Sequence, residues 1–126
     1  MKLTSKQNDI QVNLSNGVLH IGKEKGYTPL ELLVASIAGC SAIVFQTILE
    51  KKRVSYESLT IDTSVRKSET LPNPVEAVHL HYKIQTDCIT KQQLEKVLVL
   101  AVKNCTIAQS VKDSIEITET IELIQQ

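Results

Sequence analysis

Three cysteines, Cys40, Cys88 and Cys105, are the side chains of this chain best suited to covalent chemistry. They are too few and too widely spaced for a disulfide framework or a CxxC zinc knuckle, which leaves thiol chemistry or packing. The thiolate is the nucleophile, so a reactive cysteine needs access together with neighbours that lower its pKa. Cys40 ends the stretch YTPLELLVASIAGC on an apolar helix, where burial alone would raise that pKa. Cys105 follows Asn104 at a predicted helix start, where unpaired backbone N–H groups favour a thiolate. Each also has a plain packing account: a small core hydrophobe for Cys40 and a buried end contact for Cys105. Cys88, in the turn QTDCIT, is read as incidental.

Other polar side chains have weaker claims. Ser36 stands one turn before Cys40 and could offer its hydroxyl to a thiolate, or serve a crowded helix contact. Glu31 is nine positions before Cys40, which puts the two on opposite faces of a straight helix. His79 and His81 share one face of a predicted strand and alternate with apolar residues, so they are expected to face solvent rather than bind a metal. His20 is uninformative.

These residues must be positioned by a small set of elements. Ile10, Val12 and Leu14 alternate inward, Ser15-Asn16-Gly17 turns the chain, and Val18, Leu19 and Ile21 return as a second strand. Thr28, Pro29 and Glu31 form a capping box with proline in the first helical position, opening a helix over Leu30–Leu49. Leu59, Ile61, Thr63 and Val65, then Val78, Leu80, Tyr82 and Ile84, alternate as two strands of a long hairpin around the loop ETLPNP. Thr90 caps a helix with Leu94, Val97, Leu98, Ala101 and Val102 at helical spacing; a short helix over Thr106–Lys112 and a last strand with Ile115, Ile117, Thr118, Ile121 and Leu123 follow. The order β-β-α-β-β-α-α-β predicts an α+β fold, one domain over 1–126, with antiparallel sheet and helices on one face.

The first helix is apolar on every side, and such a helix is buried on every side. Its length would suit a bilayer, but Glu31, Ser36, Ser41, Gln46 and Thr47 and the flanking amphipathic strands argue against a membrane. One small sheet covers one side of a helix, so a partner subunit must cover the other: the expectation is a homodimer centred on this helix. Fourteen basic and fourteen acidic residues cancel, and no like-charge cluster or aromatic platform offers a surface to nucleic acid. The N-terminus lacks the apolar core of a secretory signal, which predicts a cytoplasmic protein with free thiols.

TPLELLVASIAGC around Cys40, the long hairpin after it, and CTIAQSV around Cys105 resemble the OsmC/Ohr family, whose members contain xPxELLxAAxAGC and a later Cys-Pro-Val-type element. The resemblance covers roughly Gly26 to the C-terminus. It implies an OsmC-like intertwined dimer, with antiparallel sheets wrapped around a central buried helix pair and the active site at the subunit interface. It also implies a thiol peroxidase without cofactor or metal. Cys40 would be peroxidatic toward a small hydrophobic hydroperoxide and become a sulfenic acid, and Cys105 would resolve it to a disulfide that an external dithiol reduces. Family peroxidases activate their thiol with a glutamate directly after the motif proline and an N-terminal arginine. Here Leu30 follows Pro29, and the only arginines are Arg53 and Arg66. Two functions are therefore expected: a hydroperoxide reductase, or a thiol-bearing dimer that binds a small molecule or carries a sulfur or oxidation mark with little turnover.

Overall fold

Turn chemistry sets the beginning of the chain. In the computed structural model, which describes residues 1–125, Gln7 and Asn8 both take positive φ, 53° and 63°. That is the backbone of a type I′ turn, whose twist matches paired strands. It joins β1 (Leu3–Lys6) to β2 (Asp9–Leu14), and β2 pairs in turn with β3 (Gly17–Ile21), giving a three-stranded antiparallel sheet. The sequence reading recovers β2 and β3 but not β1, all four of whose residues are exposed. A strand with no buried face carries no alternation to read.

The described chain falls into two compact units, Met1–Ala35 and the part from Ser36 onward. The first holds this small sheet and the start of helix α1 (Pro29–Lys51). After β3, Tyr27 donates its N–H to the His20 carbonyl at 2.9 Å and accepts from the Gly22 N–H at 3.1 Å. Gly26 between them has φ 86°, and a Cβ there would run into the His20 carbonyl. Glycine is the residue that this reversal admits. The predicted capping box forms: Thr28 N–H donates to Glu31 Oε2 at 2.9 Å, and Glu31 N–H donates to Thr28 Oγ1 at 3.2 Å. Glu31 is thereby engaged at the helix start, and the Thr28 N–H and hydroxyl, both donating to its carboxylate, hold that carboxyl below the usual range.

The second unit is built on the long hairpin. β4 (Ser58–Lys67) pairs antiparallel with β5 (Val75–Gln85), and β6 (Glu116–Ile124) lies on the other side of β5. On β5, Val78, Leu80, Tyr82 and Ile84 are all fully buried. Each such side chain contributes about 2 kcal/mol of burial free energy. The alternate residues His79 and His81 lie on the other face, where their rings bond Thr118 and Thr120 of β6 at 2.6–3.1 Å.

The expectation of a wholly antiparallel sheet needs correction here, because β5 and β6 run parallel, with Leu80 opposite Glu119 and Tyr82 opposite Ile121. Helix α2 (Lys91–Lys103) and the short helix α3 (Thr106–Val111) carry the chain back to the start of β5. A crossover of this length is what a parallel neighbour requires. Thr90 caps α2 through a reciprocal box with Gln93.

Within α1, Val34, Ile37, Ser41, Phe45 and Leu49 are buried at successive turns. Phe45 packs on Tyr82 with ring centroids 4.9 Å apart and a 48° tilt. The opposite side is not covered by this chain: Ala35, Gly39, Gln46 and Thr47 are exposed, and Ile43 is 65% exposed.

Candidate functional site

The fold brings Cys40 and Cys105, 65 positions apart in the chain, near enough for each thiol to act on the other's ionisation. Each is placed by a different device. Cys40 rides on α1 one residue before the buried Ser41, which leaves it half-buried. Cys105 is the N-cap of α3, with φ −86° and ψ 114°, and is fully buried. Asn104 closes α2 just before it, donating its own N–H to the Leu100 carbonyl at 3.0 Å.

The start of α3 supplies the polar surroundings of both sulfurs. The Ala108 N–H donates to Cys105 Sγ at 3.4 Å, and the backbone of Ile107 and Thr106 acts to lower the Cys40 pKa. These are the first amides of a helix, which have no carbonyl partner within it. Burial opposes ionisation of Cys40, but the Cys105 thiol and the two amides together outweigh it and lower its pKa. Cys105 moves the other way: burial comes first, and serving as donor to Cys40 adds to it, so its thiol is pushed up. The pair is thus divided into a sulfur suited to be a thiolate and a sulfur suited to keep its proton.

Beginning at Ser41, the residue after Cys40, runs a part-buried polar chain that sequence reasoning missed. Tyr82 OH donates to Ser41 Oγ at 3.0 Å, and Ser41 Oγ donates to Glu119 Oε1 at 2.8 Å. Burial raises the Glu119 carboxyl to about 7, against the lowering effect of the Ser41 hydroxyl. Burial also raises the Tyr82 phenol. A signal for Glu119 was present: it occupies the inward register of Ile117, Ile121 and Leu123, an acid in an otherwise apolar series.

The remaining candidates lie elsewhere. Cys88 is exposed and 3.6 Å from Ser55 Oγ, and that hydroxyl, followed by Thr86, lowers its pKa. His79 and His81 stand on the outer sheet face with threonine partners. Among the described residues, no three His, Cys, Asp or Glu side chains converge as metal ligands would.

Comparisons with known proteins find relatives over most of the chain. Protein YhfA of Escherichia coli K12 is 24% identical over 102 residues, covering 80% of this chain and 76% of that protein. The solved structure of an OsmC-like protein of unknown function from Vibrio cholerae is 27% identical, with TM-score 0.76 over 90% of this chain and 84% of that one. An organic hydroperoxide resistance protein OsmC from Legionella pneumophila shares the fold at 17% identity, with TM-score 0.73 over 96% of this chain and 93% of that one. The model of the OsmC-like protein family matches residues 22–120, and the chain belongs to that family.

Proposed function

We propose that the protein is a redox protein that reduces organic hydroperoxides with its own thiols, Cys40 as the peroxidatic and Cys105 as the resolving residue. The observation that carries this reading is the mutual influence of the two thiols on each other's ionisation. It lowers the pKa of the more accessible thiol and raises that of the buried one. In the first step the Cys40 thiolate attacks the outer peroxide oxygen; an S–O bond forms, the O–O bond breaks, and the alkoxide leaves and takes a proton. Cys105 then attacks the Cys40 sulfenic acid, forming the disulfide and releasing water. An external dithiol returns both thiols by exchange. No bound cofactor is needed.

The working unit is a homodimer. Support comes from the outer face of α1, with Ile43 65% exposed amid small residues. A substrate reaching Cys40 would approach beside this face.

A second reading, a thiol dimer with little turnover that binds a small molecule or carries an oxidation mark, is favoured by one observation. Every influence lowering the Cys40 pKa is a hydrogen bond from a neutral group, and Leu30 stands where family peroxidases carry an acid. Addition of stoichiometric cumene hydroperoxide to reduced protein, followed by thiol counting and intact mass, tests both. Loss of two thiols in the wild type, with a trapped Cys40 sulfenic acid in Cys105→Ser, is the expected pattern. Unchanged thiols would sink the peroxidase reading and leave the second.

A further inference from the structure

The small N-terminal sheet holds a histidine whose orientation is fixed on one side and open on the other. His20 Nδ1 lies 2.9 Å from Asp9 Oδ1, and Gln11 Nε2 donates to Asp9 Oδ2 at 2.8 Å. These two partners hold the Asp9 carboxyl below its ordinary range, so it stands there as a carboxylate. A carboxylate only accepts; Nδ1 therefore carries the imidazole proton and Nε2 keeps its lone pair. Among the described residues Nε2 has no hydrogen-bond partner, and the His20 side chain is 45% exposed. The ring lines an open cleft of about 590 Å³ with Val18, Lys25, Gly26 and Tyr27. The backbone fixes the walls: Tyr27 N–H donates to the His20 carbonyl at 2.9 Å, and a Cβ at Gly26 would strike that same carbonyl. Val18 stands two positions before His20 on β3 and shares its face. Val18 and Tyr27 are both more than half exposed, which gives the cleft apolar sides. Lys25 is near enough for its charge to act on Asp9, yet among the described residues no ion pair engages its ammonium.

We propose that this cleft is a second small-molecule site, for an aromatic acid that carries a hydroxyl group. The hydroxyl donates to His20 Nε2, the carboxylate meets the Lys25 ammonium, and the ring lies against Tyr27 and Val18. Each demand comes from one of the groups present. A lone pair with its tautomer locked needs a donor, an ammionium without an acid needs an anion, and exposed aromatic and aliphatic walls need a flat apolar body. Charge also sets the orientation, since Asp9 on the Nδ1 side of the ring repels a carboxylate while Lys25 attracts it. A metal ion would find a single imidazole here, because among the described residues no three His, Cys, Asp or Glu side chains converge. The site draws on none of the three cysteines, so it stands or falls apart from the thiol reaction.

The test is NMR titration of the full reduced chain with meta- and para-hydroxybenzoate, following the ring nitrogens of His20 and the Tyr27 amide. The corresponding methoxybenzoates are the controls, because they keep ring and carboxylate but cannot donate. One hydroxybenzoate isomer should saturate with a dissociation constant of about 1 mM, moving His20 Nε2 while the rings of His79 and His81 stay unchanged. Its methoxy counterpart should bind about fivefold more weakly. Lys25→Gln, at an exposed position, should weaken hydroxybenzoate binding about fivefold as well. His20→Phe, read at the Tyr27 amide, should abolish the preference for hydroxy over methoxy. Should His20→Phe not fold, Lys25→Gln and the methoxy controls decide. The absence of a saturable shift with either isomer up to about 10 mM, or binding that the methoxybenzoates equal, overturns the proposal and leaves the thiol reading as it stands.

Discussion

Cys105 and Cys40 act on each other's ionisation in opposite senses: the Cys105 thiol lowers the Cys40 pKa, and Cys40 adds to the burial that raises that of Cys105. A hydrogen bond to a charged acceptor is worth about 1.5–3 kcal/mol, and 1.36 kcal/mol corresponds to about one pH unit. Cys105→Ala should therefore raise the Cys40 pKa and slow its alkylation at neutral pH about tenfold. Cys105→Ser, which keeps a donor, should lose much less. Alkylation rate against pH checks both, and equal behaviour of the two variants would contradict the role assigned to the Cys105 thiol.

Ser41 holds both Tyr82 and Glu119, donating to one and accepting from the other. Ser41→Ala leaves a buried carboxyl oxygen and a phenol without partners, a loss of about 1–3 kcal/mol in urea unfolding. The same change should push the Glu119 carboxyl higher, because the serine hydroxyl is what lowers it. A variant as stable as wild type would show that the buried chain is replaceable by packing.

Glu119 also fixes how stability depends on pH. Its carboxyl sits at about 7 in the fold against an ordinary 4.5, so between those values the folded state binds more protons than the unfolded chain. Stability should be full below about pH 4.5 on this account and fall as pH rises to about 7. The whole displacement would correspond to about 3 kcal/mol, and partial exposure of the residue reduces the expected loss to about 2 kcal/mol. Urea denaturation at several pH values measures the slope, which Glu119→Gln should flatten over that window.

Ile43 tests the dimer. A side chain of this size left 65% exposed on a helix whose other face is core is suited to burial by a second subunit. Ile43→Asp should shift the protein from dimer to monomer in analytical ultracentrifugation with α1 still helical by circular dichroism, because its position is outside the chain's own core. A dimer of unchanged affinity would exclude this face as the contact.

Helix α1 and its cap were legible because their causes are local: Thr28 and Glu31 need only each other and three residues between them. The alternation of Val78, Leu80, Tyr82 and Ile84 likewise displayed the buried face of β5. β1 escaped because a fully exposed strand has no periodicity, although the Gln7-Asn8 turn that makes it is in the chain. The parallel setting of β6 escaped because strand direction depends on where a crossover docks, and neither strand's pattern records its neighbour.

The sequence by itself determined the thiols, the helix that carries Cys40 and the cap position that carries Cys105, since composition and near-neighbour spacing specify these. Only the tertiary structure decided that Cys105 acts on the ionisation of Cys40, that the Ala108 amide of α3 donates to Cys105, and that Glu119 ends a polar chain beginning at Tyr82. The reason is physical. A pKa is set by desolvation and by the donors within a few ångströms, and for Ser41 and Glu119 those neighbours are 78 positions apart in the chain.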